Sequence, residues 1–314
     1  MSCNSISSNN GSKTIREILK EAVAILEASE IEDAKHNASL LVAKLLSTPY
    51  PKLPFFWSEK ASEELCTDLS SMLQRRINKE PLQYILGEWS FLDFDVNVAP
   101  GVLIPRPETE EVFLAAVDAI KQSTLPPCFT FADIGTGTGI LGIAMATYFP
   151  KATGSLVDIS DDALRIAKSN LERYPKLAER TKLVKSDLLE AFSPDSLDVI
   201  ISNPPYIDSE EVKTLMPEVV NHEPHLALDG GPGGLTLIDK LLKQAETVLR
   251  PNGLFIFEHG HDQRKKIEKQ LSDFWGIIKE GNDFAGNERY FILELLKKNK
   301  YSLKDSNYGY FHKS

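Results

Sequence analysis

Cysteine is scarce and poorly placed for cross-linking. Cys3, Cys66 and Cys128 are the only three in 314 residues. They are odd in number and far apart, so they form neither a disulfide framework nor a Cys-x-x-Cys metal pair, which points to a reducing compartment. No apolar run approaches the ~20 residues needed to span a bilayer, and the Ser/Asn-rich start lacks the apolar stretch of a signal peptide. A cytoplasmic protein with no membrane partner is therefore expected. Positive charge is also in deficit: 35 Lys and Arg stand against 45 Asp and Glu, a formal net charge of -10. That is not the overall signature of a duplex binder, so no direct nucleic-acid partner is expected.

The rest of the composition is ordinary, with 42% hydrophobic and 25% charged residues, enough chain for one large domain and a smaller one. Residues 14–79 read as helices. Ile15, Ile18, Leu19, Ala22, Val23 and Leu26 keep the spacing of one buried helical face, and Ala34, Ala38, Leu41, Val42 and Leu45 repeat it. Leu65, Leu69, Met72, Leu73 and Ile77 do so a third time, after a Pro51–54 interruption. The period then shortens: Phe91, Phe94, Val96 and Val98 precede Pro100-Gly101 and Val102-Leu103-Ile104, which suggests a hairpin around that Pro-Gly turn. From residue 130 onward, apolar strand candidates at 129–132, 154–157, 182–184, 199–202, 254–257 and 290–295 alternate with amphipathic helical stretches. Such alternation predicts a mostly parallel, doubly wound α/β sheet.

Chemistry concentrates at the ends of these strands. Asp133-Ile134-Gly135-Thr136-Gly137-Thr138-Gly139 follows the first strand and opens a helix. Glycines let the chain turn sharply and let a ligand approach the backbone, although a structural tight turn would use them too. Asp158 ends the second strand, where a carboxylate can accept two ribose hydroxyls, and Asp187 follows the third, placed for an adenine amino group. Each acid alone could be a helix cap. Together the three strand ends make a nucleoside pocket suited to S-adenosylmethionine, which has no pyrophosphate for the helix N-terminus to hold.

After the fourth strand comes Asn203-Pro204-Pro205-Tyr206. The prolines stop the ladder and stiffen the exit. The Asn203 side-chain oxygen and the Pro204 carbonyl can each accept one N–H of a planar amide or exocyclic amino nitrogen, with Tyr206 against its flat face. If the first and fourth strands are neighbours, this loop faces the glycine loop.

With these two motifs the chain resembles the amino-methyltransferases of Rossmann-like fold. Over residues 14–296 it is similar to the HemK/PrmC family of release factor glutamine methyltransferases. The resemblance is carried by Pro81-Leu82-Gln83-Tyr84-Ile85-Leu86-Gly87, by Leu103-Ile104-Pro105-Arg106-Pro107-Glu108-Thr109-Glu110, and by Glu223-Pro224 with Ala227-Leu228. Gly233-Gly234-Leu235, Glu258-His259-Gly260 and Asp283-Phe284-Ala285-Gly286-Asn287-Glu288-Arg289 complete it. It implies a class I methyltransferase domain (109–297) behind a helical substrate-docking domain (14–80) and a β-hairpin linker (81–108); the ends fall outside the resemblance and, being polar or lysine-rich without periodicity, read as a disordered leader (1–13) and a flexible tail (298–314). It implies a monomer that methylates the glutamine of the Gly-Gly-Gln loop of class I peptide chain release factors and leaves S-adenosylhomocysteine.

Carried over by residue, Gly135, Thr136, Gly137, Thr138, Gly139, Asp158, Asp187, Leu188 and Asn203 would hold the cofactor. Asn203, Pro204, Pro205 and Tyr206 would hold the amide. Leu188 stands where some members of the family carry an aromatic residue against adenine, so aliphatic packing replaces stacking. Arg106, set between prolines, is a candidate for lining the substrate channel. His222, His225, His259 and His261 lack the spacing and the added acid or cysteine of a metal set. Arg75-Arg76 and Arg264-Lys265-Lys266 read as solvated helix faces. Rival readings are a nucleic-acid amino-methyltransferase acting on a flipped base, a ribosomal-protein glutamine methyltransferase, and a non-catalytic cofactor-binding scaffold.

Overall fold

A computed structural model describes residues 13–296; the expected leader (up to residue 12) and tail lie outside them. The chain divides into two compact units. Among the described residues, the first comprises residues 13–89, with Val98–Pro100 and Met216–His222. Its α1 (Ile15–Ala28) opens on a capping box, in which Glu17 N–H donates to the Thr14 hydroxyl and Thr14 N–H to the Glu17 carboxylate at 2.7 Å. The face bearing Ile15, Ile18, Ala22 and Leu26 is buried against α2 (Ala34–Leu45) and α3 (Glu63–Ile77). The proline interruption forms a 3-10 turn, Tyr50–Phe56, and a short α4 (Leu82–Leu86) ends at Gly87 with φ +75°.

The Arg75-Arg76 pair departs from the solvated face expected of it. Arg76 is buried, donating to Asn37 Oδ1 at 2.8 Å, to the Glu80 carbonyl at 3.1 Å and to Glu218 at 2.7 Å. Arg75 grips Glu80 with two nitrogens. The reason is distant in sequence: Glu218 lies in the returning helix Pro217–His222, which belongs to this unit. Arg264 is likewise held, by the Gly281 carbonyl and Asn282, with its side chain only 15% exposed.

The second unit holds the seven-stranded sheet. The hairpin is made by β1 (Glu88–Phe91) and β2 (Phe94–Asn97), so its turn is Leu92-Asp93, with Leu92 at φ +50°. The Pro100-Gly101 turn lies beyond the hairpin, and 102–104 form no strand. Leu92 N–H donates to Glu110 of α5 (Pro107–Gln122) at 2.9 Å. Then follow β3 (Thr130–Ile134), α6 (Ile140–Tyr148), β4 (Thr153–Asp158), α7 (Asp161–Glu172), β5 (Thr181–Lys185) and β6 (Leu197–Ser202). The strands β7 (Leu249–Glu258), β8 (Trp275–Asn282) and β9 (Glu288–Leu295) complete the order β5-β4-β3-β6-β7-β9-β8.

The pairings from β5 through β7 are parallel, and β9 runs antiparallel to both β7 and β8. All six residues of β6 are buried, as a central strand covered on both faces requires. The chain winds outward in both directions from β3 and β6, which pair as neighbours with Ile134 opposite Ser202. That is the switch point beyond which such sheets bind ligands.

Candidate active site

Register places the two motifs side by side. Ile134 and Ser202 are paired, and Ser202 Oγ donates to the Ile134 carbonyl at 2.8 Å, so Gly135 and Asn203 leave the sheet together. One strand over, Val157 pairs with Ile134, and Asp158 follows it. Between these strand ends lies a cavity of about 360 Å³, the size of a small-molecule site. Gly135 through Thr138, Asp158, Asp187, Leu188, Asn203, Pro205 and Arg106 are among its lining residues. Pro204 and Tyr206 are not among them, and Pro204 is buried.

The glycine loop has the shape of a cradle. Gly135 and Gly137 have φ +67° and +52°, and a Cβ built on Gly135 would meet nothing within 4 Å; on Gly137 only the Gly135 carbonyl comes that near. Side chains there would be strained and would fill the open space a ligand needs. Gly139 serves packing instead, since a Cβ there would sit 3.1 Å from Ala167 of α7. Asp133 holds the loop from beneath. It is fully buried, and its Oδ2 accepts from the Thr136 hydroxyl at 2.5 Å and Gly142 N–H at 2.9 Å. Burial pushes its carboxyl up to about 7, against the lowering effect of those two bonds.

Asp158 accepts from Gly137 N–H at 3.0 Å and Ser160 N–H at 2.9 Å, which ties the cradle to the end of β4 and leaves further lone pairs on each oxygen. Burial raises its carboxyl above the usual range. Asp187 lines the cavity while its Oδ2 accepts from Lys240 at 2.6 Å. Leu188, with φ +51°, presents an aliphatic side chain. An open glycine cradle flanked by two strand-end carboxylates fits the S-adenosylmethionine expected there.

The Asn-Pro-Pro-Tyr loop is anchored by residues to which the sequence assigns no role, although Thr109, Glu258 and Arg289 lie in the segments that carry the resemblance. Asn203 Nδ2 donates to Thr109 Oγ1 at 3.0 Å, and the Thr109 hydroxyl donates to Glu258 Oε2 at 2.7 Å. The Tyr206 hydroxyl donates to Glu258 Oε1 at 2.9 Å, so it is engaged away from the cavity. Burial, with the Glu258 charge, raises the Tyr206 phenol. Gln263 donates to the Tyr206 carbonyl at 2.7 Å. Gly234 packs so tightly there that a Cβ would fall 2.1 Å from that carbonyl oxygen. Arg289, bound to buried Asp283 at 3.0 Å, closes the network. Arg106 pairs with Glu223, a buried carboxylate that also accepts from Ile104 N–H at 3.3 Å. The signal for these partners was present in the motifs around Thr109, Glu223, Glu258 and Arg289, but their joining is purely tertiary.

Among the described residues no group of three or more His, Cys, Asp or Glu is placed to hold a metal ion, and no helix is long and apolar enough to cross a membrane.

Comparison with known proteins agrees with this architecture. Residues 17–87 match the PrmC N-terminal domain model, and 119–231 match that of the Methyltransferase small domain. A release factor glutamine methyltransferase from Moorella thermoacetica is 37% identical over 284 residues, covering 89% of this chain and 98% of that protein. Another, from Gloeobacter violaceus, is 38% identical, covering 71% and 78%. Among solved structures, a methyltransferase from Pyrococcus furiosus aligns with TM-score 0.47 and 20% identity over 66% of this chain and 90% of that one. By 37% and 38% identity to these relatives across 98% and 78% of their lengths, the chain belongs to the family of release factor glutamine methyltransferases.

Proposed function

We propose that the chain is an S-adenosylmethionine-dependent methyltransferase that modifies the side-chain amide nitrogen (N5) of the glutamine in the Gly-Gly-Gln loop of class I peptide chain release factors. It does so as a cytoplasmic monomer without nucleic acid. One observation supports this reading best: the amino end of the Asn203 side chain is committed to Thr109, which leaves its carbonyl oxygen as the end available in the cavity. A cavity offering acceptors suits an incoming NH₂.

When bound, S-adenosylmethionine supplies an electrophilic methyl on a sulfonium. Gly135 to Thr138 would cradle its methionine portion, Asp158 would accept from the ribose hydroxyls, and Asp187 and Leu188 would meet the adenine. Asn203 Oδ1 would accept one amide proton in the cavity, and the adjoining backbone carbonyl of Pro204, whose ring is buried beside the cavity lining, would accept the other. The stiff Pro204-Pro205 backbone holds them in place. As the nitrogen–carbon bond formed and the sulfonium sulfur–carbon bond broke to leave S-adenosylhomocysteine, both acceptors would favour the positive charge on nitrogen, which would then release one proton to solvent. Arg106, held by Glu223, lines the channel through which the substrate loop enters. The test is incubation with labelled S-adenosylmethionine and, in separate tubes, release factor, total RNA and unmethylated DNA. Label in release factor alone supports the reading, and label in nucleic acid alone overturns it.

A further inference from the structure

The two ends of an asparagine amide are nearly isosteric, but only one can accept an N–H. What decides which end of Asn203 faces the cavity is therefore a chemical question. Thr109 Oγ1 lies 3.0 Å from Asn203 Nδ2 and 2.7 Å from Glu258 Oε2. A threonine hydroxyl carries one proton. An ionised carboxylate can only accept, so that proton is committed to Glu258, and Thr109 can then only accept from Asn203. Tyr206 spends its own proton on the other oxygen of the same carboxylate.

We propose that Glu258, acting through Thr109, is a positioning residue that holds Asn203 with its carbonyl oxygen toward the substrate nitrogen, and that losing the Glu258 charge releases this orientation. The proposal rests on the reading of Asn203 as the acceptor of the substrate amide. A neutral Glu258 could donate to Thr109. The Thr109 hydroxyl would then turn to Asn203, whose NH₂ end would face the substrate NH₂. Turnover would fall while cofactor binding stayed.

The groups around Glu258 set where that happens. The carboxyl is fully buried, and burial raises it above the ordinary glutamate range. The bonds from Thr109 and Tyr206 and the charge of Arg289 lower it, and Glu108 raises it further. A raised carboxyl is charged only above its folded-state pKa, so kcat should carry an acid limb above the usual glutamate region.

Two measurements test this, one independent of turnover. The Asn203 side-chain ¹⁵NH₂ signal is identified as the one missing from Asn203→Ala. Its bonded proton should exchange slowly in the wild type and in Thr109→Ser, and rapidly in Thr109→Val. On a release factor substrate, Thr109→Val should lower kcat roughly tenfold through lost orientation, with Thr109→Ser near wild type and cofactor affinity unchanged in both. Glu258→Gln should lose the acid limb that Thr109→Ser keeps. Unchanged exchange in Thr109→Val, equal damage from Val and Ser, or an acid limb surviving in Glu258→Gln would overturn the proposal. If the wild type leaves release factor unlabelled, the functional reading fails, and the exchange measurement alone decides the positioning role.

Discussion

Replacing Asp133 by asparagine should make the protein more stable at alkaline pH. Its side chain has no exposed surface, Oδ2 takes both hydrogen bonds of the loop, and Oδ1 has no partner. Its carboxyl is raised from 3.8 to about 7, chiefly by burial, with Asp158 adding to the rise. A raised acid contributes stability that is fully present below its unfolded value and is lost as pH rises through the folded one. At 1.36 kcal/mol per pKa unit the whole loss is about 4 kcal/mol, of which about 2 kcal/mol falls between roughly pH 5.5 and 8.5. In Asp133→Asn the amide oxygen can take over both bonds of Oδ2, and no charge is buried at any pH. Urea unfolding of both proteins at the two pH values isolates the effect of Asp133 with its coupling to Asp158, because titrating groups not coupled to Asp133 cancel in the difference. The stability of the variant relative to wild type should rise by about 2 kcal/mol toward the higher pH. Parallel pH dependences would refute the buried-carboxylate argument.

Asp158→Ala removes the acceptor for Gly137 N–H and the one proposed for a ribose. Calorimetry should find cofactor binding weakened by roughly 1–3 kcal/mol, about 5- to 150-fold; wild-type affinity would contradict the assigned pocket. Gly234→Ala would push a methyl onto the Tyr206 carbonyl and should lower kcat at least about tenfold with cofactor affinity retained, because the loop it displaces is the one proposed to hold the substrate amide. Arg76→Ala leaves Asn37 Oδ1 and Glu218 without their partner inside the helical unit. Chemical denaturation should show a loss of roughly 2–4 kcal/mol, and a change below about 0.5 kcal/mol would show that the buried guanidinium contributes little.

The sheet was readable because its central strands are apolar runs bounded by turn residues, and six strand candidates correspond to β3 through β7 and β9. The strand β8 has no such sequence signal: it is an edge, buried mainly at Trp275 and Gly281, so Ile277-Ile278-Lys279-Glu280 carries no clean alternation. The hairpin was anticipated one turn too late, because Pro100-Gly101 is the stronger turn signal whereas Leu92 adopts a left-handed conformation without being glycine. Glycines and strand-end acids announced the cavity, since their chemistry is local. The support beneath it could not be read the same way. Thr109, Glu258 and Asn203 meet across separations of 94 and 149 residues, and Arg76 meets Glu218 across 142. No periodicity links such positions.

On the proposed mechanism, Asn203 aims a glutamine amide at the cofactor methyl. This is tested most directly by mass spectrometry of release factor after reaction with labelled S-adenosylmethionine, using wild type and Asn203→Ala. The wild type should place one methyl on the side-chain nitrogen of the Gly-Gly-Gln glutamine. Asn203→Ala should bind cofactor normally and transfer roughly 10²–10³-fold more slowly, with the Pro204 carbonyl sustaining the remainder. Label on any other residue, or an Asn203→Ala rate equal to wild type, would contradict the account.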